Sequence, residues 1–106
     1  MATMGERIRD LRKAKKMTLD ELAAKIGAQK SYIWGVENGR IQNPSAENLA
    51  KIAECLNTTV NILLDNVGNA DDEKKEILYR NYRKLTEADR KKLDDILELW
   101  TKQNKN

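Results

Sequence analysis

Residues 18–38 limit the possible folds more than any other stretch of the chain. Thr18-Leu-Asp-Glu21 reads as a capping box, in which the Thr18 hydroxyl accepts from the backbone three residues on and Glu21 reaches back to the Thr18 amide. Leu22, Ala23 and Ile26 share one side of the short helix that follows. It ends at Gly27, which takes a left-handed C-terminal conformation at no Cβ cost. A second helix is expected from about Gln29 to Asn38, with Ile33 and Val36 facing in and Asn38-Gly39 closing it. Ala23 is small where the two helices would approach most closely, and Leu22, Ile26, Ala28, Ile33 and Val36 supply a shared core.

Flanking segments supply the helices this pair needs. Residues 5–16 form a basic helix with Ile8 and Leu11 on one face. A loop over Arg40–Asn43 leads to Pro44 and the N-cap Ser45, which launch a helix carrying Leu49, Ile52, Ala53 and Leu56. Thr59 caps a short fifth helix with Val60, Leu63 and Leu64. Asn66-Val-Gly-Asn69 reads as a hinge. Beyond it, Asp71, Asp72 and Glu73 favour the positive end of a new helix, which carries Ile77, Leu78, Tyr82 and Leu85. Thr86-Glu-Ala-Asp89 starts the last helix, where Leu93, Ile96, Leu97 and Trp100 fall at i, i+3, i+4 and i+7. Lys102–Asn106 is expected to fray. The reading is all-α: a five-helix domain over 1–66 and a C-terminal helical hairpin over 67–106.

Composition removes most other function classes. With no histidine and one cysteine, neither Cys/His zinc sites nor histidine-based catalysis is available, and no cofactor or metal is expected. Cys55, beside the fourth helix's stripe, reads as a small packed hydrophobe. Asp71/Asp72 and Asp94/Asp95 are adjacent pairs that diverge around a helix and share no site. Aliphatic runs such as Ile62-Leu63-Leu64 fall far short of the ~20 residues that span a bilayer. The N-terminus lacks the apolar core of a signal peptide. A cytoplasmic, non-enzymatic protein is the expectation. The net charge is only +3, but residues 1–16 hold six basic residues against Glu6 and Asp10, and the remainder is nearly neutral. That distribution suits a surface meeting a polyanion at one place, or equally a solvated helix face.

A short helix, a glycine turn and a second helix make the geometry that sets a helix in the DNA major groove. The chain resembles the phage-repressor and Cro-like helix-turn-helix family. The resemblance is carried by Gly5-Glu-Arg-Ile-Arg-Asp-Leu-Arg, Thr18-Leu-Asp-Glu-Leu-Ala-Ala-Lys-Ile-Gly27, Ser31-Tyr-Ile33, Val36-Glu-Asn-Gly39 and Asn43-Pro-Ser45, and it covers about residues 4–64. It implies a lambda repressor-like DNA-binding domain working as a dimer on a roughly palindromic operator, most often as a repressor. It also implies a salt bridge between Arg12 and Glu37 that ties the first helix to the end of the recognition helix. Leu19 stands where the family usually has a phosphate-clamping glutamine.

Within that reading Gln29, Lys30 and Ser31 enter the groove deepest, Gln29 suited to adenine, Lys30 to guanine and Ser31 to several bases. Trp34 either presses on a thymine methyl or the sugar-phosphate wall, or folds over the domain surface or against another protein. Gly35 is expected to let the backbone approach the bases. Thr18, at an anion-binding helix start, and Asn38, Arg40, Gln42 and Asn43 are the expected phosphate contacts.

The hairpin stripe of Leu93, Ile96, Leu97 and Trp100 has three uses open to it: pairing with a second copy, folding back on its own domain, or docking a toxin, an anti-repressor or another regulator. The reading is a sequence-specific transcriptional regulator that binds double-stranded DNA as a homodimer, since a net charge of +3 predicts weak binding by a monomer. An antitoxin that autoregulates its operon and an adaptor that has lost DNA binding are the rivals.

Overall fold

The computed structural model describes residues 2–104, and these contain helices and connecting turns without a strand. The tail expected to fray, Lys102–Asn106, is helical through Asn104, where the last helix still closes its backbone hydrogen bonds, and its residues 105–106 lie outside the described residues. In order the elements are α1 (Met4–Ala14), α2 (Leu19–Ile26), α3 (Lys30–Glu37), α4 (Ala46–Cys55), α5 (Val60–Leu63), α6 (Ala70–Arg83) and α7 (Glu87–Asn104).

Local chemistry sets most of these boundaries. Thr18 caps α2 with both bonds of the capping box, and Gly27 closes it at φ 71°, ψ 30°. Ser45 and Thr59 accept from Asn48 N and Ile62 N and so cap α4 and α5. A further capping box, Thr3 with Glu6, starts α1 one residue earlier than the periodicity suggests. That helix also stops earlier, at Ala14, because Lys16 turns left-handed at φ 56° and Met17 N returns to Arg12 O at 3.1 Å.

The first five helices surround one core. Ile8, Leu22, Ile33, Ile52, Leu56, Leu63 and Val36 are fully enclosed, with Ala23, Ile26, Leu49 and Ala53 also buried. Helix α2 packs on α3 and α4, and α1 packs on α3 and α5. Gly5 makes the α1–α3 contact possible. A Cβ there would stand 2.4 Å from Val36 O and 2.6 Å from Glu37 O, a collision with backbone that no side-chain movement relieves. Arg7 closes the ring, its Nε donating to Leu63 O at 2.7 Å and its Nη1 to Ala2 O.

The chain divides into two compact units, and the boundary differs from the expected break after residue 66. The first unit runs through Glu73, because that side chain is buried in it. Thr59 Oγ1 donates to Glu73 Oε1 at 2.6 Å and Asn61 Nδ2 to Oε2 at 3.4 Å. The first turn of α6 is thereby part of the first unit, and Asn66–Asn69 is a connection inside it.

The second unit begins at Lys74. Its two helices are tied near their connection, where Tyr82 donates to the Asp94 carboxylate at 3.0 Å and Arg90 Nε to Leu85 O at 3.1 Å. The hydrogen bond to Asp94 raises the Tyr82 pKa above the usual phenol value. Farther along, Leu78, Tyr79, Ile96, Leu97, Leu99 and Trp100 are exposed and Leu93 is half-buried, so within one chain the α7 stripe is mostly uncovered.

The Gly5 contact gives the first prediction. Gly5→Ala is expected to destabilise the chain by about 2 kcal/mol or more, the range of overpacking against rigid neighbours. Urea denaturation measures it; an unchanged midpoint would contradict the close approach of α1 to the end of α3.

Candidate nucleic-acid interface

Helix α3 owes its position to contacts at its C-terminal end and along its length. At the C-terminal end Arg12 Nε donates to Glu37 Oε2 at 2.7 Å and Arg12 Nη2 to Oε1 at 2.9 Å, a bidentate pair between two buried side chains. Arg12 Nη1 also donates to Met17 O at 2.8 Å, so one guanidinium joins α1, the start of the α2 segment and α3. Glu37 raises the Arg12 pKa, chiefly through these hydrogen bonds, against the opposing effect of burial. The Arg12–Glu37 bridge implied by the family resemblance is present. Along its length α3 is braced by Tyr32, whose hydroxyl accepts from Asn48 Nδ2 at 3.1 Å on α4. No periodicity singles out that bond, since Tyr32 sits beside the core residue Ile33 rather than in the stripe.

The outer face of α3 then presents a short polar series. Gln29 is the N-cap, but its side chain makes no capping bond and stays exposed; Lys30 and Ser31 follow, also exposed. Trp34 is 47% exposed, and the Arg40 guanidinium lies 6.0 Å from its ring centroid. Asn38 is exposed with its Nδ2 committed to Trp34 O at 2.9 Å. Gln42 and Asn43 are exposed on the segment that leads to α4. These residues of α3 and the following turn form one surface segment.

Gly35 departs from expectation. It is buried, and a Cβ on it would stand 3.0 Å from Ile41 Cδ1. The chain after α3 folds back so that Arg40 N and Ile41 N both donate to Gly35 O, at 2.8 and 3.0 Å. The missing side chain makes room for Ile41, not for a base. At Thr18 the amide expected to await an anion donates to Glu21 Oε1 at 3.0 Å, and the hydroxyl accepts from Glu21 N. Those bonds hold Glu21 below the usual glutamate pKa, the backbone contribution being the larger.

The basic N-terminal segment is less available than its charge implies. Arg7 and Arg12 are spent on internal hydrogen bonds, while Lys13, Lys15 and Lys16 remain exposed. Elsewhere, Glu47–Lys51, Lys91–Asp95 and Glu98–Lys102 are solvated pairs one helical turn apart. No group of three or more Asp, Glu or Cys side chains among the described residues is arranged to hold a metal ion. No helix among them is long and apolar enough to cross a membrane.

Comparison with known proteins identifies the same segment. A helix-turn-helix family model matches residues 8–63. The HTH-type transcriptional regulator SinR of Bacillus subtilis (strain 168) is 42% identical over 62 residues, which are 58% of this chain and 56% of SinR, so the match spans little more than half of that relative. Among solved structures, the P22 c2 repressor protein in complex with a synthetic operator superposes with a TM-score of 0.59 at 30% identity, over 63% of this chain and all of that one. A complex of SinR with the SinI protein gives 0.57 at 32% identity, over 96% of this chain and all of the matched one.

The buried pair supplies the prediction here. Arg12→Met strands the Glu37 carboxylate and is expected to cost about 3–5 kcal/mol of stability, whereas joining it to Glu37→Leu should recover most of the loss. Thermal melts of the two variants check this; an Arg12→Met melt like the wild type would remove the pair's structural role.

Proposed function

The chain belongs to the helix-turn-helix family, and from that premise we propose that it is a sequence-specific DNA-binding transcriptional regulator, a dimeric repressor of cytoplasmic location without catalytic activity. The observation that carries the proposal is the exposed series on a rigidly held α3: Gln29, Lys30 and Ser31 at its N-terminal end, with its C-terminal end fixed by Arg12 and Glu37. A helix braced in this way can enter a major groove with its first turn leading. Lys30 donates to guanine O6/N7, Gln29 pairs with adenine and Ser31 adapts to its neighbour. The hydroxyl of Thr18, with Asn38, Arg40, Gln42 and Asn43, engages phosphates and sets the register. The P22 c2 repressor's operator complex supports the DNA reading, since the whole of the repressor chain in that structure matches 63% of this chain.

The second unit serves dimerisation in this proposal. Ile96, Leu97 and Trp100 are each about half or more exposed, and with Leu93 they form a stripe that pairing with a second copy would cover. One observation favours a protein partner as a second reading: the match to the SinR–SinI complex extends over 96% of this chain and so into α6 and α7. A small regulatory protein presenting apolar helices would then compete with the second copy for the same stripe. The antitoxin alternative draws no support from SinR or the P22 c2 repressor.

Two measurements test the proposal. Selection from random duplex DNA is expected to return one roughly palindromic site, bound with an affinity that falls steeply as salt rises. Lys30→Ala should relax the preference at one base position per half-site and cost about 1–3 kcal/mol there. Recovery of no preferred sequence would reject the DNA reading. For the second unit, Leu97→Asp is expected to convert a dimer to a monomer in sedimentation equilibrium while leaving the five-helix domain folded; a wild-type chain that is monomeric at micromolar concentration contradicts the assigned interface.

A further inference from the structure

We propose that Trp34 acts on DNA through Arg40: the indole is a platform that holds the guanidinium ready for a backbone phosphate, and Trp34 reads no base itself. The proposal deepens the reading of α3 as a recognition helix and rests on it. The Arg40 guanidinium carbon lies 6.0 Å from the Trp34 ring centroid, within reach of the attraction between a cation and the negative face of an indole.

The backbone holds the two side chains together independently of that attraction. After α3 the chain turns at Gly39 (φ 76°) and comes back along the helix end, where Arg40 N and Ile41 N share Gly35 O. Asn38 Nδ2 caps Trp34 O at 2.9 Å and fixes the same turn from the other side. A Cβ at Gly35 would meet Ile41 at 3.0 and 3.2 Å and Arg40 Cβ at 3.9 Å, so the absent side chain lets the returning segment lie this close to Trp34. Glycine at 35 and the turn at 38–40 therefore place Arg40 beside the ring before any DNA is present.

The chemistry favours a phosphate over a base edge. A guanidinium held beside a ring at this distance keeps its N–H donors free, and they match two oxygens of one phosphate. Arginine alone on a turn is rotamer-rich and must be ordered on binding; a side chain already restrained by a ring loses less. The indole has no acceptor and a single N–H donor, so it carries little of the donor–acceptor code that separates bases in the major groove. Trp34 is thus a positioning residue, and its removal should weaken binding to all sequences while leaving the preferred sequence unchanged.

The test is a double-mutant cycle in the full chain, measured as salt-titrated affinity for the selected site and for an unrelated duplex. Arg40→Ala is expected to reduce the magnitude of the salt slope by about 0.9 for each chain contacting DNA, the value for one lost phosphate contact. Trp34→Ala should move the slope in the same direction and lower affinity about three- to five-fold on both duplexes. The double variant should match Arg40→Ala alone, and Trp34→Phe, which keeps a ring face, should stay near the wild type. Thermal melts accompany the series, and Trp34→Ala should melt like the wild type because the ring is half exposed. Additive losses in the double variant, or an unchanged salt slope with an altered base preference in Trp34→Ala, would overturn the proposal. Wild-type protein that binds no duplex in a salt-dependent way would reject the recognition-helix reading itself, a failure visible before any variant is compared.

Discussion

The Arg12–Glu37 pair decides where α3 points. It is bidentate and almost fully enclosed, and the same guanidinium reaches Met17 O, so α1, the approach to α2 and the end of α3 meet at one side chain. Enclosed ion pairs of this kind contribute little net stability, because desolvating both charges offsets most of their attraction; their effect is to penalise every arrangement that separates them. Hydrophobic burial around Ile8, Leu22, Ile33 and Ile52 would tolerate small rotations of α3 on α1. A fork of three hydrogen bonds does not. Gly5 adds a steric limit from the opposite direction, since its missing Cβ is where the carbonyls of Val36 and Glu37 lie. Attraction at Arg12 and contact at Gly5 together fix the helix that presents Gln29, Lys30 and Ser31.

That arrangement changes the meaning of the basic N-terminus. Six basic residues crowd the first sixteen positions, yet Arg7 and Arg12 face carbonyl and carboxylate oxygens within the domain. Their charge serves the scaffold, and the proposed interface is left with the few cations placed by α3 and its following turn, Lys30 and Arg40 above all. At Thr18 the carboxylate of Glu21 occupies the amide that an anion would use. A phosphate there meets a hydroxyl beside a negative charge, a weaker contact than an open helix start provides. With Leu19 in place of the family's glutamine, the proposed interface draws less on α2 than the family pattern implies.

The caps and stripes were legible because they are local. Thr18 with Glu21, Gly27, Ser45 and Thr59 act within one turn of their own positions, and each stands where the sequence pattern puts it. The Arg12–Glu37 bridge spans 25 residues and was accessible only through the family resemblance, since no spacing rule pairs an arginine in one helix with a glutamate two helices later. Contacts without such a precedent were missed. Glu73 reads as one of three acidic residues at a helix start, but Thr59 and Asn61 draw it into the first unit and move the boundary with it. Gly35 reads as an opening toward DNA, and the returning chain fills that opening with Ile41. Trp34 and Arg40 are six positions apart across a left-handed glycine, a separation at which neither helical nor strand periodicity brings side chains together.

The exposed residues of α6 and α7 bear on how so mild a net charge can serve a DNA-binding reading. A domain with a handful of phosphate contacts binds weakly at physiological salt, and each additional contact multiplies affinity through counterion release. Joining two copies doubles the contacts without adding a charge to either chain, and makes the second half-site encounter intramolecular. A stripe of Ile96, Leu97 and Trp100 left open within one chain has the character of a surface used between chains, where burying aromatic and aliphatic side chains is most productive. It also makes affinity for DNA depend on the covering of that stripe: a partner that covers it in place of the second copy removes half the phosphate contacts without touching α3. In the proposed arrangement control of binding can thus reside in α6 and α7 and specificity in α3, and the two can vary independently.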